Sequence, residues 1–320
     1  MIYDLHSHMV FPCYLEGLEK QGVDPLKEDG FPTPSWSPEE HLAMMDACGI
    51  DRALLSLSSP HIWHGDAAAA AELARQINEE TAAVCRKWSD RFAFAACLPA
   101  PDVDACLAEI RYACDTLGAS AVKLPSSSGG IYPGDPRMDP IFAELNARGA
   151  IVLLHPCRPD AVPEHVFTAG PVPLFEFIAD TTRTVINLIT SGTIERYPDL
   201  KIIVPHSGSF LPFVAHRLAG ISKILIPQGL MEETNVLEAC KKLYYDVAGD
   251  VLPAALPALL QIADPSHIVY GGDYPYTPAP MVREKLALLK QAKLPEGLLD
   301  AILSDNAERL IGSRWNSGLK

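Results

Sequence analysis

The sequence lacks any C-x-x-C pair among its eight cysteines, and no apolar run nears the roughly 20 residues that cross a bilayer. It also opens without the basic segment and short apolar stretch of a secretory signal. The expectation is therefore a cytoplasmic protein whose reduced thiols pack like small hydrophobes. Basic excess is missing too: 26 Lys and Arg stand against 40 Asp and Glu, a net charge of −14. Such a surface disfavours nucleic acid and anionic membranes, whose phosphate charge must be neutralised on binding. No Gly/Ser-rich, Pro-rich or charged linker divides the chain, and no internal repeat is evident. One domain over residues 1–320 is expected, long enough for a barrel of about 250 residues with insertions.

What the chain does contain is a regular alternation. Apolar runs at 2–6, 52–57, 92–98, 120–124, 151–155, 201–206, 243–247 and 267–272 read as strands. Helical patterns fall at 38–48, 67–88, 103–116, 138–148, 173–190, 210–221, 253–262 and 280–291. Continuous rather than alternating apolar strands imply a parallel sheet covered by helices. Eight such units favour an α/β fold of the (β/α)8 TIM-barrel type over an open doubly wound sheet. Ser37-Pro38-Glu39-Glu40 reads as an N-cap with proline at the first helical position, and Gly49 and Gly118 as helix stops. Residues 9–37 and 125–137 exceed what connections need. Both follow strands, so both are expected over the C-terminal mouth, the first as a lid.

Four strand ends carry residues suited to metal binding or proton transfer. His6 and His8 stand two apart, on one face of the first strand. His155 ends the fifth, His206 the sixth, and Asp273 follows the eighth. His6, His8, His155 and Asp273 offer three imidazoles and a carboxylate, a set suited to Zn²⁺, with Mn²⁺, Fe²⁺ or Co²⁺ as alternatives. His155 has substrate contact as a second reading. His206 reads as a fifth ligand, a proton-transfer group or a buried structural histidine. His61 and His64, after the second strand, are candidate substrate contacts or ordinary loop residues. His41 lies on the first helix, where facing solvent is the default, and His165, His216 and His267 read as structural. Cys157 is near His155, but packing is its expected role.

Asp4-Leu5-His6-Ser7-His8, Leu154-His155-Pro156, Pro205-His206-Ser207-Gly208-Ser209-Phe210-Leu211-Pro212-Phe213 and Tyr270-Gly271-Gly272-Asp273-Tyr274-Pro275 resemble the amidohydrolase superfamily. More narrowly they resemble its nonoxidative decarboxylases around aminocarboxymuconate semialdehyde decarboxylase. Ser58-Ser59-Pro60, Tyr132-Pro133-Gly134-Asp135-Pro136 and Asp180-Thr181-Thr182-Arg183 are most similar to 6-methylsalicylate decarboxylase-like members.

The resemblance implies one divalent metal on His6, His8, His155 and Asp273, His206 as catalytic histidine, and a homodimer or larger assembly. Arg217 matches an arginine that reaches the neighbouring subunit's site and binds substrate carboxylate; a helix-surface ion pair is its other reading. His41 stands where a second carboxylate-binding arginine is found in aminocarboxymuconate semialdehyde decarboxylases. Imidazole lacks that permanent bidentate fork, which favours a substrate with one carboxylate. Lys123 ends the fourth strand, where two-metal relatives carry a bridging carboxylated lysine; it could instead hold a substrate anion or pair with a carboxylate at the rim.

The activity implied is metal-dependent, oxygen-independent decarboxylation of an aromatic or unsaturated cyclic acid of salicylate type. Asp273 would carry the proton and His206 would stabilise or relay charge. Hydrolysis of a lactone, amide or related C–O/C–N bond is the alternative on the same scaffold.

Overall fold

The computed structural model describes residues 1–162 and 170–315. Eight strands run in chain order: β1 Tyr3–His8, β2 Arg52–Ser56, β3 Phe92–Cys97, β4 Ala121–Pro125, β5 Ile151–His155, β6 Lys201–Val204, β7 Tyr244–Asp246 and β8 Ile268–Val269. Each pairs in parallel with the next, and sequence order equals spatial order. Closure comes from the chain beyond β8. Leu5 donates to Tyr270 O at 3.0 Å and His8 to Tyr274 O at 2.7 Å, while Asp273 donates to His6 O at 2.7 Å. The result is the expected (β/α)8 barrel, with β8 shorter than its apolar run because Gly271 and Gly272 follow it.

Two packing layers fix which end is open. Outward-facing strand residues meet the helices in one large core. Inside the barrel, Tyr3, Leu5, Leu54, Ala93, Ile151, Leu153, Ile203 and Val269 form a smaller core, closed by Leu310 and Ile311 of the helix Asn306–Ile311. That helix, absent from the sequence reading, plugs the strands' N-terminal end. Chemistry is left to the C-terminal end, where the loops are.

Helix punctuation follows local chemistry. Ser37 accepts from Glu40 N at 3.2 Å and donates to the Glu40 side chain at 3.0 Å, starting Pro38–Cys48; Gly49 stops it at φ 70°. The 9–37 insertion is more ordered than a loop. It holds helices Pro12–Lys20 and Pro25–Asp29, each with proline in its first turn, and Asp24 caps the second.

His41 corrects the sequence reading: it is fully buried, not solvent-facing. Trp36 Nε1 donates to His41 Nδ1 at 3.0 Å, and the ring packs edge-on against Phe92 and Tyr274. Burial pushes its pKa down to about 3, so the ring is neutral. A polar side chain on an early helix turn gave no sign that an indole would cover it.

Candidate metal centre

Strand direction brings the sequence candidates together. His6, His8 and His155 each offer a ring nitrogen within 4.8 Å of the others, and the same holds for a ring nitrogen of His6, one of His206 and a carboxylate oxygen of Asp273. His8 Nε2 lies 3.1 Å from Asp273 Oδ1, and His6 Nε2 lies 3.5 Å from it. The other ring nitrogens are tied back to the barrel. His6 Nδ1 meets Asp246 Oδ2 at 2.8 Å, His8 Nδ1 meets Ser56 O at 3.2 Å, and His155 Nδ1 meets Pro156 O at 2.8 Å. Each contact favours a proton on Nδ1, so that Nε2, once deprotonated, is the nitrogen that can offer a lone pair to a cation. His6 Nε2 is buried without a hydrogen-bond partner. These donors and this orphaned nitrogen fit a divalent ion.

Asp246 was not among the sequence candidates, although it lies within the seventh strand-like run and ends β7. Its Oδ1 accepts from His206 N at 2.9 Å and Ala248 N at 3.0 Å, so one carboxylate sets both a candidate ligand and the catalytic candidate. A carboxylate closing a barrel strand was the available signal. Asp4, fully buried, holds the backbone in a similar way. Its Oδ1 accepts from His6 N and Gly272 N, at 3.0 and 2.9 Å.

Electrostatics follow from this packing. Burial opposes charge on His6, but Asp246 and then Asp273 outweigh it and raise the ring to about 9. Burial likewise opposes ionisation of Asp273, yet the His8 hydrogen bond and the imidazoles of His6 and His206 hold it well below the usual range. Burial, then His6, lowers His206, whose Nδ1 has no hydrogen-bond partner.

His155, His206 and Asp273 line a cavity of about 500 Å³, together with Asp29, Phe31 and Thr33 of the 9–37 insertion. Lys123, His61, His64 and Arg217, like His6 and His8, are not on the cavity wall. Lys123 is fully buried in the barrel, with Nζ 3.5 Å from Ser58 O and 3.4 Å from His61 Nδ1. Burial lowers its pKa. His61 and His64 lie together, His64 Nε2 donating to His61 O at 2.7 Å, around a smaller neighbouring cavity. Arg217 is exposed on the outer helix Leu211–Leu225. His216 is exposed, His267 stacks on Tyr244 at 4.1 Å, and His165 lies outside the described residues.

The 125–137 loop and the Asp180-to-Arg183 stretch form one unit. Fully buried Asp180 accepts from Ser126 Oγ at 2.7 Å, Ser127 Oγ at 3.0 Å, Tyr132 Oη at 2.5 Å and Arg183 Nη1 at 2.7 Å.

Fold and donor set together define a barrel built to hold a divalent metal at its mouth. The chain belongs to the amidohydrolase family, whose pattern matches residues 3–312. It is 34% identical over 298 residues to a 6-methylsalicylic acid decarboxylase of Penicillium expansum, covering 92% of this chain and 90% of that one. An amidohydrolase II crystal structure is 36% identical, with TM-score 0.92, covering 98% of this chain and all of that one. A 5-carboxyvanillate decarboxylase from Novosphingobium aromaticivorans, crystallised with manganese, shares the fold at TM-score 0.87 and 24% identity, covering 98% of this chain and 97% of that one.

Proposed function

We propose that this protein is a metal-dependent, nonoxidative decarboxylase of a salicylate-like aromatic or unsaturated cyclic carboxylic acid. One observation carries the reading. His6, His8, His155, His206 and Asp273, from four separate parts of the barrel, bring ligand atoms together in two groups of three that share His6, and three of the five line one cavity, in a chain one-third identical to a 6-methylsalicylic acid decarboxylase along nine-tenths of its length. His6, His8, His155 and Asp273 would hold the ion, with zinc favoured by the three imidazoles and manganese the alternative. When bound, the ion would supply Lewis-acid polarisation and a template for the acid's oxygens.

The remaining chemistry belongs to the chain. Cleaving the carboxylate C–C bond directly would leave an unstable aryl carbanion. Protonation of the ring carbon first turns the ring into an electron sink, and loss of CO2 then restores aromaticity. Asp273 delivers that proton from its second oxygen, which Thr277 Oγ1 approaches at 3.4 Å. Because Asp273 rests ionised, it must first collect the proton; the phenolic hydroxyl of the incoming acid is a suitable source. His206 stays neutral and stabilises or relays charge beside it.

The working unit in this reading is a homodimer. Phe213, Arg217, Ile221 and Ile224 share one face of Leu211–Leu225, and the three apolar residues are exposed. A partner seated there would bury that stripe and let Arg217 reach its carboxylate. The free cysteines support a reducing, cytoplasmic setting. The test is product analysis under anoxic conditions with metal-loaded protein: CO2 and a phenol from a salicylate support the reading, whereas acid release from lactones alone defeats it.

A further inference from the structure

The turn after β6 has an unusual backbone for its residues. His206, Ser207 and Ser209 all have positive φ, at 55°, 54° and 56°. Ser207 is left-handed with ψ 33°, and Ser209 has ψ −122°, a combination that side chains rarely adopt. Glycine would hold the same path without strain, as it does at Gly208, where a Cβ would come within 3.2 Å of the Tyr245 ring. Side chains nevertheless stand at 207 and 209.

Both hydroxyls are buried without hydrogen-bond partners, and both residues line the 500 Å³ cavity beside His206. Ser207 is only 2% exposed. A buried hydroxyl without a partner is costly, so strain and lost hydrogen bonding coincide at these two positions. The charges on the wall limit which groups of this chain could receive the acid of the proposed reaction. Asp29, Asp250 and Asp273 line the cavity, and among the described residues no Lys or Arg does. An acid entering it meets neutral donors from this chain.

We propose that Ser207 and Ser209 donate hydrogen bonds to the substrate carboxylate and hold it over the ring-protonating group. This rests on the acid-decarboxylase reading above and names the donors that the chain itself supplies. They act as binding and positioning residues. When the C–C bond breaks, its electron pair returns to the protonated ring and the carboxylate leaves as neutral CO2. The hydrogen bonds therefore weaken along the step, and their loss should appear in KM more than in kcat.

The test uses the full-length, metal-loaded protein carrying Ser207→Gly and Ser209→Gly, singly and together. Glycine suits this backbone, so folding is secured, and the melting temperature should hold or rise. For a salicylate, KM of the double variant should rise about 10- to 100-fold, with a smaller change in kcat. Benzoate, as an unreactive acid, should lose affinity in parallel, whereas phenol, which has no carboxylate, should bind as before. Unchanged KM and benzoate affinity would overturn the proposal, as would equal weakening of benzoate and phenol. If serine-dependent benzoate binding is found but no acid releases CO2, the decarboxylase reading falls and the serine assignment stands.

Discussion

Asp246 grips His6 and His206 with different oxygens: Oδ2 lies 2.8 Å from the His6 ring, and Oδ1 accepts the His206 backbone N–H at 2.9 Å. A single strand-end carboxylate thus orients a candidate metal ligand from β1 and the turn that follows β6.

Changing Asp246 should therefore affect the ion before it affects the fold. Asp246→Asn keeps the shape but replaces a carboxylate acceptor with an amide, so metal affinity should fall about 10- to 100-fold. Competition titration against a chelator measures it; wild-type affinity in the variant would contradict this role.

In the proposed scheme, changing His206 separates metal binding from turnover. His206→Asn should retain the metal, because His6, His8, His155 and Asp273 remain. Its kcat should fall about 10²- to 10⁴-fold. Elemental analysis beside steady-state kinetics decides it, and loss of the metal in this variant would make His206 a ligand instead.

Proton release follows from the raised pKa of His6. At about pH 7.5 a ring near pKa 9 is protonated in the metal-free protein, so binding an ion must expel that proton. Calorimetry in buffers of different ionisation enthalpy should find about one proton released per ion. The sign for stability is the same: the charged ring's contribution is fully present below its ordinary value near 6.5 and is lost as pH rises through about 9. This contribution to the metal-free protein's melting temperature should decline over that window.

The Asp180 anchor predicts a stability effect away from the chemistry. Asp180→Ala would strand Ser126, Ser127, Tyr132 and Arg183 together, costing about 3 kcal/mol. Thermal melts should show a midpoint several degrees lower. An unchanged midpoint would mean the 125–137 loop is held by other contacts.

The sequence made the metal candidates legible because barrel strands end in side chains with few alternative uses. His6, His8, His155 and Asp273 stood at the ends of apolar runs, and His206 stood beside them. Residues that act through another group were harder to read. Asp246 ends a three-residue strand, and its value lies in contacts to residues 240 and 40 positions away. His41 shows the converse: a helix position says little about burial when Trp36 folds over it. The helices inside 9–37 were signalled by Pro12 and Pro25, but short helices lack enough period to stand out.

Metal-dependent loss of CO2 is followed most simply with a salicylate labelled with ¹³C in its carboxyl group, incubated without oxygen with metal-loaded and chelator-stripped protein. Stoichiometric ¹³CO2 and the corresponding phenol are expected from the loaded protein, with loss of both on stripping and recovery when the metal is returned. Label release that persists at full rate in the stripped protein would contradict a metal-dependent decarboxylase.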